Sequence, residues 1–181
     1  MLLTEDLVRG DGRRGPVAGP DSDVILGGCI RLARNFAAWP FMTRMTDADR
    51  EAMRRYAVAS LETVRRGKLT LFEMSECDAV ERHLLAERLL ISEELAAAQS
   101  GAAAISDDET LSVVIGDEDH LQIQTFTKDS DLQGPLNEAL QLSQDLTDAG
   151  VVFAISEEFG YLTASPMNTG TGMQASLILH L

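Results

Sequence analysis

Apolar positions along this chain repeat with two periods, near two and near 3.6, and the changes of period lay out its elements. Residues 24–26 form a short apolar run. Gly27 and Gly28 interrupt it, and residues 29–33 resume as a strand in which Ile30 and Leu32 alternate with Arg31. Thr46-Asp-Ala-Asp49 offers side-chain oxygens to the orphan amides of a helix start. Met53, Tyr56, Ala57, Leu61 and Val64 then recur on one helical face to about Arg66, and Gly67 ends the run. Residues 68–74 read as a strand. Ser75 and Asp78 open a helix over 77–90, and Ser92-Glu-Glu caps a short one through Gln99. Strands at 102–105 and 111–116 pair across a Ser-Asp-Asp-Glu turn. A third at 120–126 alternates Leu121, Ile123 and Phe126 with Gln122 and Gln124 beyond an acidic tip. Leu136, Leu140, Leu142 and Leu146 give 132–149 a helical spacing. A second hairpin joins 151–155 to 161–164, and a helical run is expected to open at Met173.

Hairpins of neighbouring strands mixed with helices predict an α+β domain, a largely antiparallel sheet flanked by helices. Glycines and prolines at positions 10, 12, 15, 16, 19 and 20 predict a flexible N-terminal arm over 1–21, leaving 22–181 as the folded unit. At 181 residues and 45% apolar, the chain is long enough to bury a core. Its formal charge of −14 disfavours nucleic acid and anionic membrane, and it suits partners rich in Arg or Lys. There is no apolar run of membrane-spanning length and no apolar signal core near the N-terminus, so a cytoplasmic location is expected. Cys29 and Cys77 lie far apart, as do His83, His120 and His180, so no metal-ligand spacing is visible.

The candidate chemistry sits in four blocks. Gly116-Asp-Glu-Asp-His-Leu-Gln122 crowds three acids at a strand end, and a carboxylate pair matches the planar fork of a guanidinium. Ser22-Asp-Val-Ile-Leu-Gly-Gly-Cys-Ile-Arg-Leu-Ala-Arg-Asn35 places Arg31 on a strand. Arg34, three residues on, is expected on the opposite face as a surface ion-pairing residue. Glu81 to Ser92 forms a helical block carrying His83, a surface residue by its register, and Leu89. Leu162-Thr-Ala-Ser-Pro-Met-Asn-Thr-Gly-Thr-Gly-Met-Gln-Ala-Ser176 puts two glycines between a strand and the expected helix, where backbone N–H groups can approach an anion.

In this order, across about 22–181, the blocks resemble the phosphagen (ATP:guanido) kinase family, and among its branches the bacterial protein-arginine kinases. The resemblance implies the fold of the first part of that family's catalytic domain. It implies a catalytic role for Glu118 with Asp117, nucleotide contacts at Arg31, Gln122, Gln174, Asn168, Gly170 and Gly172, and a guanidino-substrate contact at Ser165. It also implies ATP and Mg²⁺ if the chain is active. Against the family pattern, Cys29, Gln122 and Gln174 stand where phosphate-gripping arginines are expected, Ser165 where a reactive cysteine is, and Leu89 where a base-contacting histidine is.

A transferring phosphoryl group needs cations to stabilise its charge, so these changes predict an impaired, pseudokinase-like domain. Such a domain would act by binding a kinase partner or a protein bearing arginine or phosphoarginine. The alternative is an active ATP-dependent protein-arginine kinase. Glu118, Asp119, His120 and Asn168 could equally serve structure by satisfying backbone groups. The apolar run at 177–181 predicts self-association, a homodimer covering it.

Overall fold

The computed structural model describes residues 24–64, 68–128 and 130–180; the arm expected at 1–21 lies outside them. In chain order the elements are β1 (Ile25–Arg34), a 3-10 turn (Met42–Arg44), α1 (Asp47–Val64), β2 (Leu69–Glu73), α2 (Ala79–Glu87), α3 (Glu93–Ala98), β3 (Ala102–Ser106), β4 (Leu111–Ile115), β5 (Leu121–Thr127), α4 (Gln133–Asp148), β6 (Ile155–Ser156), β7 (Gly160–Tyr161) and β8 (Met173–Leu179). Six of the strands form one antiparallel sheet in the order β2-β3-β4-β5-β1-β8, and β6 and β7 pair separately. The expected α+β architecture is what the chain adopts.

Period-two patterning decides which residues face which layer. Ile30, Leu32, Val113, Ile115, Leu121 and Ile123 point to one side, where Met53, Ala57 and Leu61 of α1 and Ala139, Leu142 and Leu146 of α4 complete a core. Cys29, Ala103, Ile105, Val114 and Phe126 point to the other, against Leu85 of α2, Leu95 of α3 and Leu90 between them. Side-chain caps start the helices as expected. The Asp78 carboxylate accepts from Glu81 N at 2.8 Å while Glu81 returns to Asp78 N at 2.9 Å, and Ser92 Oγ accepts from Leu95 N at 2.9 Å. Among the described residues no helix is long and apolar enough to cross a membrane.

Three expectations need correction. The run from Met173 is a strand, not a helix. Its residues pair with β1 from Leu32↔Met173 to Ile25↔Leu179, a long-range register that overrides a locally helix-compatible pattern. Gly27 and Gly28 do not divide β1, which runs through them with a bulge between Ile25 and Gly27. Arg34 does lie on the opposite face from Arg31, but it is 1% exposed and hydrogen-bonded to neutral groups, so it is no surface ion pair. The second hairpin forms, in shortened form, as Ile155↔Tyr161 and Ser156↔Gly160.

Candidate functional site

Directly paired residues of an antiparallel ladder share a face, so the register assembles a polar patch on β5, β1 and β8. Arg31 lies between Gln124 and Gln174, and Ala33 lies beside Gln122. Arg31 Nη2 donates to Gln124 Oε1 at 3.2 Å, and Gln124 Nε2 donates to Gln122 Oε1 at 3.4 Å. Gln174 Nε2 donates to Asn168 Oδ1 at 2.8 Å, bringing the loop before β8 onto the same patch. The Arg31 Nε is buried without a partner among the described residues. Of the four positions where the family pattern expects a phosphate-gripping arginine (29, 31, 122 and 174), only 31 keeps one. Cys29 is absorbed into the apolar layer beneath α2 and α3. Gln124 was not singled out from the sequence, although its two-residue spacing from Gln122 is the signal that would have found it.

The acidic tip between β4 and β5 borders this patch. Burial pushes the Asp117 carboxyl up; a hydrogen bond with Ser92 and the Arg31 cation pull it down, while Glu94 and Asp119 raise it further. Burial also raises the Glu118 carboxyl, with Asp119 and Asp117 adding to the rise. Asp119, only 2% exposed, anchors the tip: its Oδ1 accepts from Asn35 Nδ2 at 2.5 Å and from Ala164 N at 2.7 Å. The second bond fastens the acids to the segment carrying Ser165, so Glu118 and Ser165 belong to one end of the site. Asp119 Oδ2 is buried with no partner among the described residues.

His120 is a structural residue. Phe36 N donates to its Nδ1 at 2.9 Å and its Nε2 lies 2.9 Å from Pro40 O, which fits the neutral tautomer with the proton on Nε2. Burial lowers its pKa accordingly, with Pro40 and Asp119 acting the other way. Asn35, missed in the sequence, is the hub: it donates to Asp119 and to Leu162 O (3.0 Å), and its Oδ1 accepts from His120 N at 3.0 Å.

The glycine loop differs from the sequence expectation. No helix follows it, and the amides of Gly170 and Gly172 donate to Tyr161 O (3.1 Å) and Asn168 O (2.9 Å). These N–H groups are therefore committed within the chain. Gly172 is required for another reason. Its φ is +65°, and a Cβ there would stand 2.6 Å from Ala33 O. Ser165 lies at the loop's start, its carbonyl accepting from Thr163 Oγ1 and Asn168 N. Leu89, at φ 61°, is half-exposed after α2, and His83 is exposed on α2 as its register implied.

The Arg31 guanidinium acts on Asp117, which also feels Glu94 and Asp119, and two of the expected cationic positions, 122 and 174, hold neutral amides.

Residues 52–181 match the ATP:guanido phosphotransferase C-terminal catalytic domain. Curated relatives include the protein-arginine kinase of Symbiobacterium thermophilum, 35% identical over 186 residues, matching 100% of this chain and 52% of the relative. The protein-arginine kinase of Bacillus cereus strain B4264 is 35% identical over 168 residues, 90% of this chain and 47% of the relative. The chain thus spans about half the length of the curated relatives it matches. Among solved structures, the duplicated taurocyamine kinase from Schistosoma mansoni with bound transition state analog components superposes with a TM-score of 0.80 at 21% identity, over 94% of this chain and 26% of that one. A lombricine kinase gives 0.74 at 18% identity over 97% and 52%. At these identities the structures speak for the fold.

Proposed function

The chain belongs to the ATP:guanido phosphotransferase family, and from that premise we propose that it acts as a guanidinium-binding domain, impaired in phosphoryl transfer. The ligand is an arginine side chain, free or carried by a partner protein. The observation that carries this reading is the imbalance of charge at the site: Asp117, Glu118, Asp119 and Glu94 cluster beside a patch where Arg31 is the one arginine retained at the family's phosphate-gripping positions. A guanidinium supplies planar donors to such carboxylates. Transfer, by contrast, needs donors where charge develops. Each lost charge-assisted donor costs about 2–4 kcal/mol of transition-state stabilisation, roughly 10²–10³ in rate. Positions 29, 122 and 174 each forgo one.

The second reading, an active ATP-dependent protein-arginine kinase, draws support from the intact acidic tip, the Asn168–Gly172 loop and the likeness to protein-arginine kinases. One experiment separates them. The purified chain is given ATP, Mg²⁺ and an arginine-rich peptide, and both peptide binding and acid-labile phosphoarginine are measured against Glu118→Gln. Peptide binding weakened by the substitution, with no phosphoarginine above the control, is expected. Turnover at rates of order one per second that Glu118→Gln abolishes would establish the kinase instead.

A further inference from the structure

Arg34 ends β1 on the face opposite Arg31, enclosed between α4 and the glycine loop. Its Nε donates to Ser143 Oγ at 3.0 Å, and its Nη1 donates to the carbonyls of Ala33 at 2.8 Å and Thr171 at 3.0 Å. The Tyr161 ring centroid is 3.6 Å from its Cζ. Every one of these partners is neutral: a hydroxyl, two carbonyls and a ring. A buried charge ordinarily has a counter-ion, because the low-dielectric interior penalises an uncompensated one. Burial lowers the Arg34 pKa, with Tyr161 opposing, yet a guanidinium keeps its proton at neutral pH.

Beside it opens a cavity of about 680 Å³. Arg34, Asn137, Gln144, Tyr161 and Thr171 form its polar wall, Leu140 and Ile155 its apolar rim, and none of its lining residues is acidic. Asn137 accepts from Gln133 through Oδ1, which turns its amide nitrogen into a spare donor. The nearest acids stand behind the wall, where Asp145 and Asp148 accept from the lining Gln141 and Gln144 at 2.8 Å each, and Arg34 is the one charged residue of the lining.

We propose that this cavity is a binding site for a small oxyanion, a phosphate or carboxylate group, on the side of the sheet away from the guanidinium-binding patch. The anion supplies the counter-charge that Arg34 lacks, and Asn137 and the surrounding hydroxyls supply further hydrogen bonds. The proposal does not depend on whether the Arg31 face transfers phosphoryl groups.

The test is titration of the 181-residue chain with inorganic phosphate, read by side-chain amide NMR and by thermal melting. Phosphate is expected to move the Asn137 amide signals and raise Tm, leaving those of Gln122 and Gln124 in place. Asn137→Asp keeps the bond from Gln133 and adds a carboxylate to the wall, so it should weaken phosphate at least tenfold. Arg34→Met should abolish binding. Should that variant fail to fold, Asn137→Asp, at an exposed position, still decides the matter. Acetate competing with phosphate keeps the site and assigns it to carboxylates. Shifts confined to Gln122, Gln124 and Gln174, shifts equally produced by chloride, or affinity unchanged in Asn137→Asp would overturn the proposal.

Discussion

Two titratable side chains at the acidic tip pull the stability of the molecule in opposite directions. His120 is held neutral by burial and by donors and acceptors that suit the uncharged ring. Its folded pKa is depressed, so the stability it contributes is present above 6.5 and is lost as pH falls below that value. Asp117 is the reverse case. Its folded pKa is raised, so its contribution is complete below 3.8 and is lost as pH rises through the folded value. Asp117→Asn is therefore expected to be more stable than the parent chain at pH 7, with the gap closing toward pH 3.8. Urea unfolding at a series of pH values measures this; equal midpoints at pH 7 would show that the tip is solvated enough to carry its charges freely. A carboxylate kept at a cost to stability is what a site for a cationic ligand requires.

The glycine loop and β8 act as one element. Gly172 brings the loop against the backbone of β1, where Ala33 N donates to Gly172 O at 2.7 Å and Arg34 bonds Thr171 O from behind. From that anchor β8 pairs along β1, and Gln174 is delivered beside Arg31. Gly172→Ala combines a positive φ with a Cβ 2.6 Å from Ala33 O and 2.7 Å from Arg34 Nη1. The expected loss is about 2 kcal/mol or more, since left-handed geometry alone costs an L-residue about 1–2 kcal/mol. Chemical denaturation reads the loss. Loosening of the β1–β8 amides in hydrogen exchange, with β3 and β4 unaffected, would locate it in this element.

The two faces of the sheet have become separate devices joined through one strand. The face under α2 and α3 is closed at one end by an ion pair, Arg88 Nη1 to Glu109 Oε1 at 2.5 Å, with the Glu109 side chain 5% exposed. This pair ties the end of α2 to the β3–β4 turn, where Glu109 itself takes φ 59°. Glu109→Gln is expected to lower stability by about 3–5 kcal/mol, because an arginine loses its buried partner. Neither member of the pair belongs to the Arg31 patch on β5, β1 and β8, so arginine-peptide binding per folded molecule should be unchanged. A calorimetric titration of the folded fraction checks both parts together.

The alternation in β1 and β5, the capping residues of α2 and α3 and the acidic tip were legible because each depends on residues near one another in the chain. Local patterns of period two or 3.6 report which face is buried whatever the partner turns out to be. The conformation of 173–179 was not legible, since a short apolar run suits helix and strand alike and the choice was made by hydrogen bonds to β1, far away in sequence. The same distance hid the site's connections. Arg31 with Gln124, Asn35 with Asp119 and Arg34 with Thr171 are separated by 93, 84 and 137 residues, and each exists only once the register is set. Residue types at 29, 122 and 174 announce a missing set of cations in the sequence itself. That the sheet buries an uncompensated Arg34 on its other side depends on which neutral groups packing brings around it, and no local pattern encodes that.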